Sequence, residues 1–298
     1  MYRLYPVLLL ALIMVCIVQC GSYNNQSIES PFRKDNLMAW CIVPFDAENR
    51  GPFERAAMMK SLGITRFAYD WRTEHIPTFD QEIDALQQQG IRLDAFWLPC
   101  KLPDPLQSEN VQLVLKLLAR RNVKTQLWIT LNMQAYDELA QDEKVAMAAQ
   151  AVEGIAREAD KIGCTVGLYN HGGWFGEPEN QIAIIQATSA DNVGIVYNFH
   201  HGHEHVANFS ELLNKMLPYL YAVNINGMRQ DTKILPLGAG DDELEMLRIL
   251  KDSSYRGLVG ILGHIKEQDA QISLQNNLTG LQNLLRTIGD HAALQTYE

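Results

Sequence analysis

Ile162-Gly163-Cys164-Thr165-Val166-Gly167-Leu168-Tyr169-Asn170-His171-Gly172-Gly173-Trp174 carries one complete structural module in a single line of sequence. A long amphipathic pattern over residues 136–162 ends at Gly163, the residue type that accepts the left-handed conformation closing a helix. An apolar run over 165–169 follows. Its apolarity is continuous rather than alternating, as in a parallel strand covered on both faces. Polar and aromatic residues crowd directly behind it. The same punctuation recurs at Leu62-Gly63-Ile64 and Gln89-Gly90-Ile91, so the module is repeated.

Working outward, strand candidates fall at 38–45, 65–70, 92–98, 125–131, 165–169, 194–199, 220–226 and 258–262. Helical patterns follow at 54–62, 79–89, 107–121, 136–162, 178–188, 209–217, 241–251 and 269–287. Repeats of roughly 26 to 39 residues are the size of a βα unit. No GxGxxG turn follows the first strand, which argues against a doubly wound sheet, and the reading is an α/β protein of the (β/α)₈ barrel class. Residues 37–298 form one domain, with no Pro/Ser-rich linker inside it.

The composition agrees with one large folded unit: 298 residues, 47% hydrophobic and 20% charged. A formal charge of −10 with scattered Lys and Arg excludes the basic stripe that a nucleic-acid partner needs. Residues 1–20 read as an export leader, with Arg3 before the apolar run Val7–Val18, too short for a comfortable span. Ile17-Val18-Gln19-Cys20-Gly21 resembles a bacterial lipobox, with Gln19 in place of the usual small residue. Residues 21–36 are then a flexible tether. The chain is expected to be exported, periplasmic or an outer-membrane lipoprotein, touching membrane only through its leader or lipid anchor. Cys41, Cys100 and Cys164 are an odd set within the domain, so no full disulfide framework forms.

In a barrel the chemistry sits at the carboxyl ends of the strands. Six of the eight histidines fall there, in His171, His200-His201-Gly202-His203-Glu204-His205 and His264, together with Asp70-Trp71-Arg72, Trp97, Trp174 and Asn224-Ile225-Asn226. Polar groups interleaved with indoles suit a sugar, whose C–H faces pack on aromatic rings while its hydroxyls find Asn, Asp and Arg. Clustered imidazoles point to a divalent cation.

At these residues the chain resembles the xylose isomerase-like TIM barrels, often labelled sugar phosphate isomerases/epimerases and related to the family-two AP endonucleases. The marks are Phe67-Ala68-Tyr69-Asp70-Trp71-Arg72, Tyr169-Asn170-His171-Gly172-Gly173, the run Val193–His201 and Ile261-Leu262-Gly263-His264. The resemblance implies a cation held by a Glu after strand five, an Asp-x-x-His after strand six, a His after strand seven and a Glu after strand eight. Here Asn198-Phe199-His200-His201 keeps the spacing with Asn for Asp, Asn224 or Asn226 follows strand seven, and His264 stands where the last Glu is expected. Fewer carboxylates favour Zn, Co or Ni over Mg, with Mn open if Glu177 or Glu179 reaches in.

The resemblance further implies proton abstraction next to a sugar carbonyl, either in an isomerase/epimerase or, as in extracytoplasmic relatives, in a lyase that breaks 3-keto-glycosides by β-elimination. The expected roles are Asp70, Glu177 and His171 as catalytic groups, and Trp40, Arg72, Trp97, Trp174 and Asn226 as substrate-binding. His201, His264, His203 and Asn198 are assigned to the metal. An unphosphorylated carbohydrate is the expected partner, supplied if need be by a sugar oxidoreductase. Two readings of other kinds stay open: an exported glycan-binding lipoprotein with a degenerate site, and a glycoside hydrolase needing paired carboxylates.

Overall fold

In the computed structural model, which describes residues 29–230 and 233–298, eight parallel strands close into a barrel in sequence order. The strands are β1 Leu37–Trp40, β2 Arg66–Tyr69, β3 Arg92–Cys100, β4 Gln126–Leu131, β5 Thr165–Tyr169, β6 Val193–Asn198, β7 Leu220–Ile225 and β8 Leu258–Leu262. Closure is by β1 beside β8, with Leu37 opposite Val259 and Trp40 opposite Leu262. Each strand is followed by a helix: α1 Pro52–Ser61, α2 Phe79–Gln89, α3 Glu109–Arg121, α4 Gln141–Asp160, α5 Pro178–Ala187, α6 Phe209–Met216, α7 Glu243–Asp252 and α8 Ala270–Thr287. The (β/α)₈ expectation holds. The glycines of the repeated punctuation adopt the left-handed backbone expected of them, at φ 70° for Gly63, 65° for Gly90 and 71° for Gly163.

Two apolar layers divide the strand residues. One face of each strand packs on the helices, through Phe67, Tyr69, Phe96 and Leu98 among others. The other fills the lumen with Met38, Trp40, Trp128, Tyr169, Val196 and Leu262. Trp40, Trp128 and Tyr169 are large for a lumen, and small residues make the room: Ala68, Ala95 and Ala222 lie among them. Gly167 serves the same end, since a Cβ there would lie 2.5 Å from Val196 and 3.1 Å from Trp128.

Strand one is shorter than the apolar run 38–45 suggests. It ends at Trp40 because Cys41 takes φ 55°, which turns the chain over the barrel mouth. Residues 29–36 of the expected tether are packed on the barrel. Phe32 is fully buried, Ser30 donates to Asp290 at 2.5 Å, and Asn36 donates to the Gly257 carbonyl at 2.8 Å. Burying one phenyl ring and satisfying these polar groups outweighs the chain entropy that the polar composition favours. The leader and its lipobox cysteine lie outside the described residues.

The loop from β7 to α7 bends back over the mouth and is fastened by Glu243. This buried carboxylate accepts from the amides of Met228, Gly238 and Gly240 at 2.9–3.0 Å, so the glycine-rich stretch before α7 is an anchored loop. Ile234 is thereby held at the rim of the cavity described next.

Candidate active site

Six strand ends converge on a cavity of about 300 Å³ at the carboxyl end of the barrel. Its floor is aromatic. The Trp40 ring lies 4.8 Å from Trp128 and 5.7 Å from Tyr169, and Trp97 stands 5.1 Å from Tyr169 as a wall. Trp71 donates to the Trp97 carbonyl at 2.6 Å, which ties the ends of β2 and β3 together.

Asp70 follows directly on β2 and is 1% exposed. One carboxylate oxygen accepts from the Val43 amide at 3.2 Å, and the other has no hydrogen-bond partner. Burial raises its pKa to about 7, against the opposing pull of Arg72 and the Val43 N–H. Arg72 is the one cation among the described lining residues. Its guanidinium donates to the carbonyls of Asp70 and Trp71 at 2.7 and 2.9 Å and lies over the Phe45 ring.

Four imidazoles complete the wall. His171 and His201 have ring centres 4.7 Å apart, His200 and His201 4.8 Å, and His200 and His264 6.2 Å. Burial, with smaller contributions from neighbouring imidazoles, lowers His200 to about 4 and His201 to about 3. His171 and His264 are lowered for the same first reason. All four are neutral near pH 7, so they present one N–H and one lone pair each. His264, like Cys41, takes a left-handed backbone at φ 39°, and its amide donates to the Cys41 carbonyl at 2.9 Å. Two such residues side by side at the cavity mouth mark backbone held out of its preferred region where the site is built.

The neutral imidazoles carry a consequence for the fold. Unfolding frees them to bind protons below pH 6.5, so their contribution is fully present above that value and is lost as pH falls toward 4 and then 3. The Tm is therefore expected to drop between pH 7 and pH 5, by less than the full linkage slope because solvent enters the cavity. The His201→Gln protein should show a flatter profile, and an equal slope in both proteins would refute the assignment.

Of the residues singled out in the sequence, Asp70, His171, Trp40, Arg72, Trp97, His201, His264 and Asn198 line this cavity. The others do not. Glu177 stands at the start of α5, half exposed, and meets His205 at 3.1 Å. Trp174 donates to Gln141 at 2.7 Å and lines a separate surface groove. Asn226 is fully buried, its amide turned onto the Gly227 carbonyl. His203 bonds the His200 carbonyl at 2.7 Å, and its other ring nitrogen is buried without a partner. Tyr169, Cys41, Leu262 and Ile234 line the cavity without having been singled out for it. Tyr169 ends a continuous apolar run and so reads as core in the sequence.

The donor set does not fit the family's cation. Strand five ends in Tyr169, whose hydroxyl oxygen already accepts from the Trp40 indole at 3.0 Å and the Asn198 amide at 2.5 Å. Asn198 is fully engaged, since its Oδ1 accepts from the His200 backbone N–H at 3.0 Å. Asn224 is buried in the lumen, and Leu262 ends β8. Of the residues at the family's four positions, His201 and His264 offer imidazoles to the cavity, and no carboxylate lines the cavity at any of the four. Among the described residues no group of three or more His, Cys, Asp or Glu is placed to hold a metal ion.

A family model described as xylose isomerase-like TIM barrel matches residues 58–278. A search of the curated proteins by sequence finds no match. Among solved structures, the chain is similar to 3-keto-D-glucoside 4-epimerase from E. coli, with 17% identity, TM-score 0.64 and coverage of 86% of this chain and 99% of that one. A D-psicose 3-epimerase solved in the presence of D-fructose gives 14% identity, TM-score 0.64 and coverage of 85% and 99%. The IolI protein with a binding zinc atom gives 12% identity, TM-score 0.63 and coverage of 85% and 98%. At these identities the shared property is the fold.

Proposed function

The chain belongs to the xylose isomerase-like TIM barrel family, and from that premise we propose that it is a carbohydrate-active enzyme that removes a proton next to a sugar carbonyl. The observation that carries the reading is Asp70. It is the one carboxylate among the described lining residues, and burial lifts it to about 7, where a general base is half ionised at neutral pH and still basic enough to take a carbon-bound proton. A hydrolase would need a second carboxylate across the cavity. The family likeness to a keto-glucoside epimerase and a ketohexose epimerase supports the same reaction class.

The cavity also limits the substrate. About 300 Å³ is at the small end for small-molecule sites, enough for a single sugar ring. Trp97 offers an aromatic face to the ring's C–H side, and the imidazoles and Arg72 offer partners for hydroxyls. Arg72 alone, with its guanidinium already drawn onto two carbonyls, makes a weak phosphate grip, so the substrate is an unphosphorylated keto-sugar. After enolisation the intermediate regains its proton at another face or carbon, which is epimerisation or isomerisation, or expels the substituent at C1, which is β-elimination of a 3-keto-glycoside.

Incubation of the purified protein in D₂O with D-fructose, D-psicose, D-tagatose and a 3-keto-glucoside, followed by NMR, tests this directly. Deuterium should enter at the carbon beside the carbonyl of at least one of them, or the 3-keto-glucoside should lose its C1 substituent with no deuterium gained. Neither outcome with any of the four would sink the proposal, and the product spectrum separates reprotonation from elimination.

A further inference from the structure

The centre of the cavity floor is a tyrosine whose proton has been left free. Tyr169 is 2% exposed and lines the cavity. Two donors point at its hydroxyl oxygen, and neither is ambiguous. An indole N–H can only donate, so Trp40 donates. Asn198 could in principle be turned over, but its Oδ1 accepts from the His200 backbone N–H, which can only donate, and that fixes Nδ2 toward the phenol. Both phenol lone pairs are thus occupied. The O–H proton has to be given to something else.

A third polar neighbour of the phenol is the Asn224 amide, whose oxygen and nitrogen are both buried without a hydrogen-bond partner. Tyr169 itself lines the cavity, where a substrate oxygen is the alternative acceptor. Each bond received by the phenol oxygen polarises its O–H and makes it a stronger donor. A buried donor held in place before the reaction is the arrangement that stabilises a developing oxyanion.

We propose that Tyr169 is a catalytic residue that donates its phenol proton in a hydrogen bond to the substrate's carbonyl oxygen, doing for the enolate what a cation does elsewhere in the family, with Trp40 and Asn198 as its positioning residues. The proposal rests on the enolising function given above. As Asp70 takes the α-proton, the C–H electron pair forms the new C=C bond and the carbonyl π pair moves onto oxygen. Tyr169 keeps its proton throughout and meets the charge with a shorter hydrogen bond. No other reactant is needed.

The test compares D₂O exchange in chelator-treated wild type, Tyr169→Phe and Asn198→Asp. Tyr169→Phe should lose about 10²–10³-fold in exchange rate with little change in KM. Asn198→Asp keeps the phenol and the bond to the His200 amide, but turns a donor to Tyr169 into an acceptor that captures its proton. It should therefore also fall by at least about tenfold, although a tyrosine needed only for packing would tolerate the change. Equal circular dichroism and Tm show that both variants are folded. Exchange in Tyr169→Phe within about threefold of wild type, or wild-type exchange abolished by chelator and restored by Zn²⁺ or Mn²⁺, overturns the role of Tyr169 while leaving the enolising reading intact. Wild type that neither exchanges a ketose nor removes the C1 substituent of the 3-keto-glucoside overturns both.

Discussion

Asp70→Asn should reduce α-proton exchange by about 10²–10⁴-fold, the range that a positioned general base contributes. The asparagine is nearly isosteric and its Oδ1 can still accept from the Val43 amide, so the cavity keeps its shape and KM changes little. Wild type should show an acid limb in its pH–rate profile. With Asp70 at about 7, the rate rises with pH up to that value and then levels, falling tenfold for each unit below it. The residual rate of Asp70→Asn should show no such limb. Stability moves the other way. The folded-state value lies above the ordinary 3.8, so the native protein holds a proton that the unfolded chain releases. That contribution is complete below pH 3.8 and is lost as pH rises through about 7. Above pH 7 the native state carries a buried charge with one oxygen unpartnered, and Asp70→Asn removes it. The variant should therefore melt higher than wild type at pH 8, with the gap closing by pH 5. Lower activity joined to higher Tm is the signature of a group kept at a cost to the fold. A variant that exchanges at the wild-type rate would remove Asp70 from the chemistry.

Much of this site is legible in the sequence because a barrel converts strand order into position. Once 65–70 and 165–169 are strands, Asp70 and His171 must sit at the same end, however far apart in sequence. The rule fails one step beyond the strand. Asn226 follows its strand end directly, and Trp174 and Glu177 come a few residues after theirs, yet none of the three lines the cavity. Their directions depend on the helical turn at Gly173–Gly176, the cap of α5 and the fold-back of the β7–α7 loop. None of these leaves a periodic signature. Tyr169 is hidden for the opposite reason, since a tyrosine ending an apolar run reads as core, and its ring is indeed packed among three indoles. Its chemistry becomes visible only when the two donors on its oxygen are counted. Residues 29–36 mislead through composition, because one buried phenylalanine and a few side-chain bonds hold down a stretch that otherwise reads as linker.

Behind Asp70 stands a second buried charge, and removing its partner should be the most damaging single change to the fold. Arg55 on α1 and Glu82 on α2 are 3% and 1% exposed and form an ion pair, and Arg55 also donates to the Arg50 carbonyl at 2.6 Å. Burial raises the Glu82 carboxyl above its ordinary value, against the opposing pull of Arg55. Arg55→Met leaves it unpaired and should cost about 3–5 kcal/mol in urea denaturation. Replacing both residues by apolar ones removes the stranded charge. The double variant Arg55→Met/Glu82→Leu should recover most of the loss, and the coupling in the double-mutant cycle measures the pair. The functional link is electrostatic. Arg55 is one of the charges that hold Asp70 down, so the double variant, folded but without that cation, should carry its acid limb at higher pH than wild type. A single variant that loses under about 1 kcal/mol would mean the pair is not charged in the native state. An unmoved acid limb in the double variant would mean that Arg55 and Asp70 do not sense one another, and that the base is set by its own burial alone.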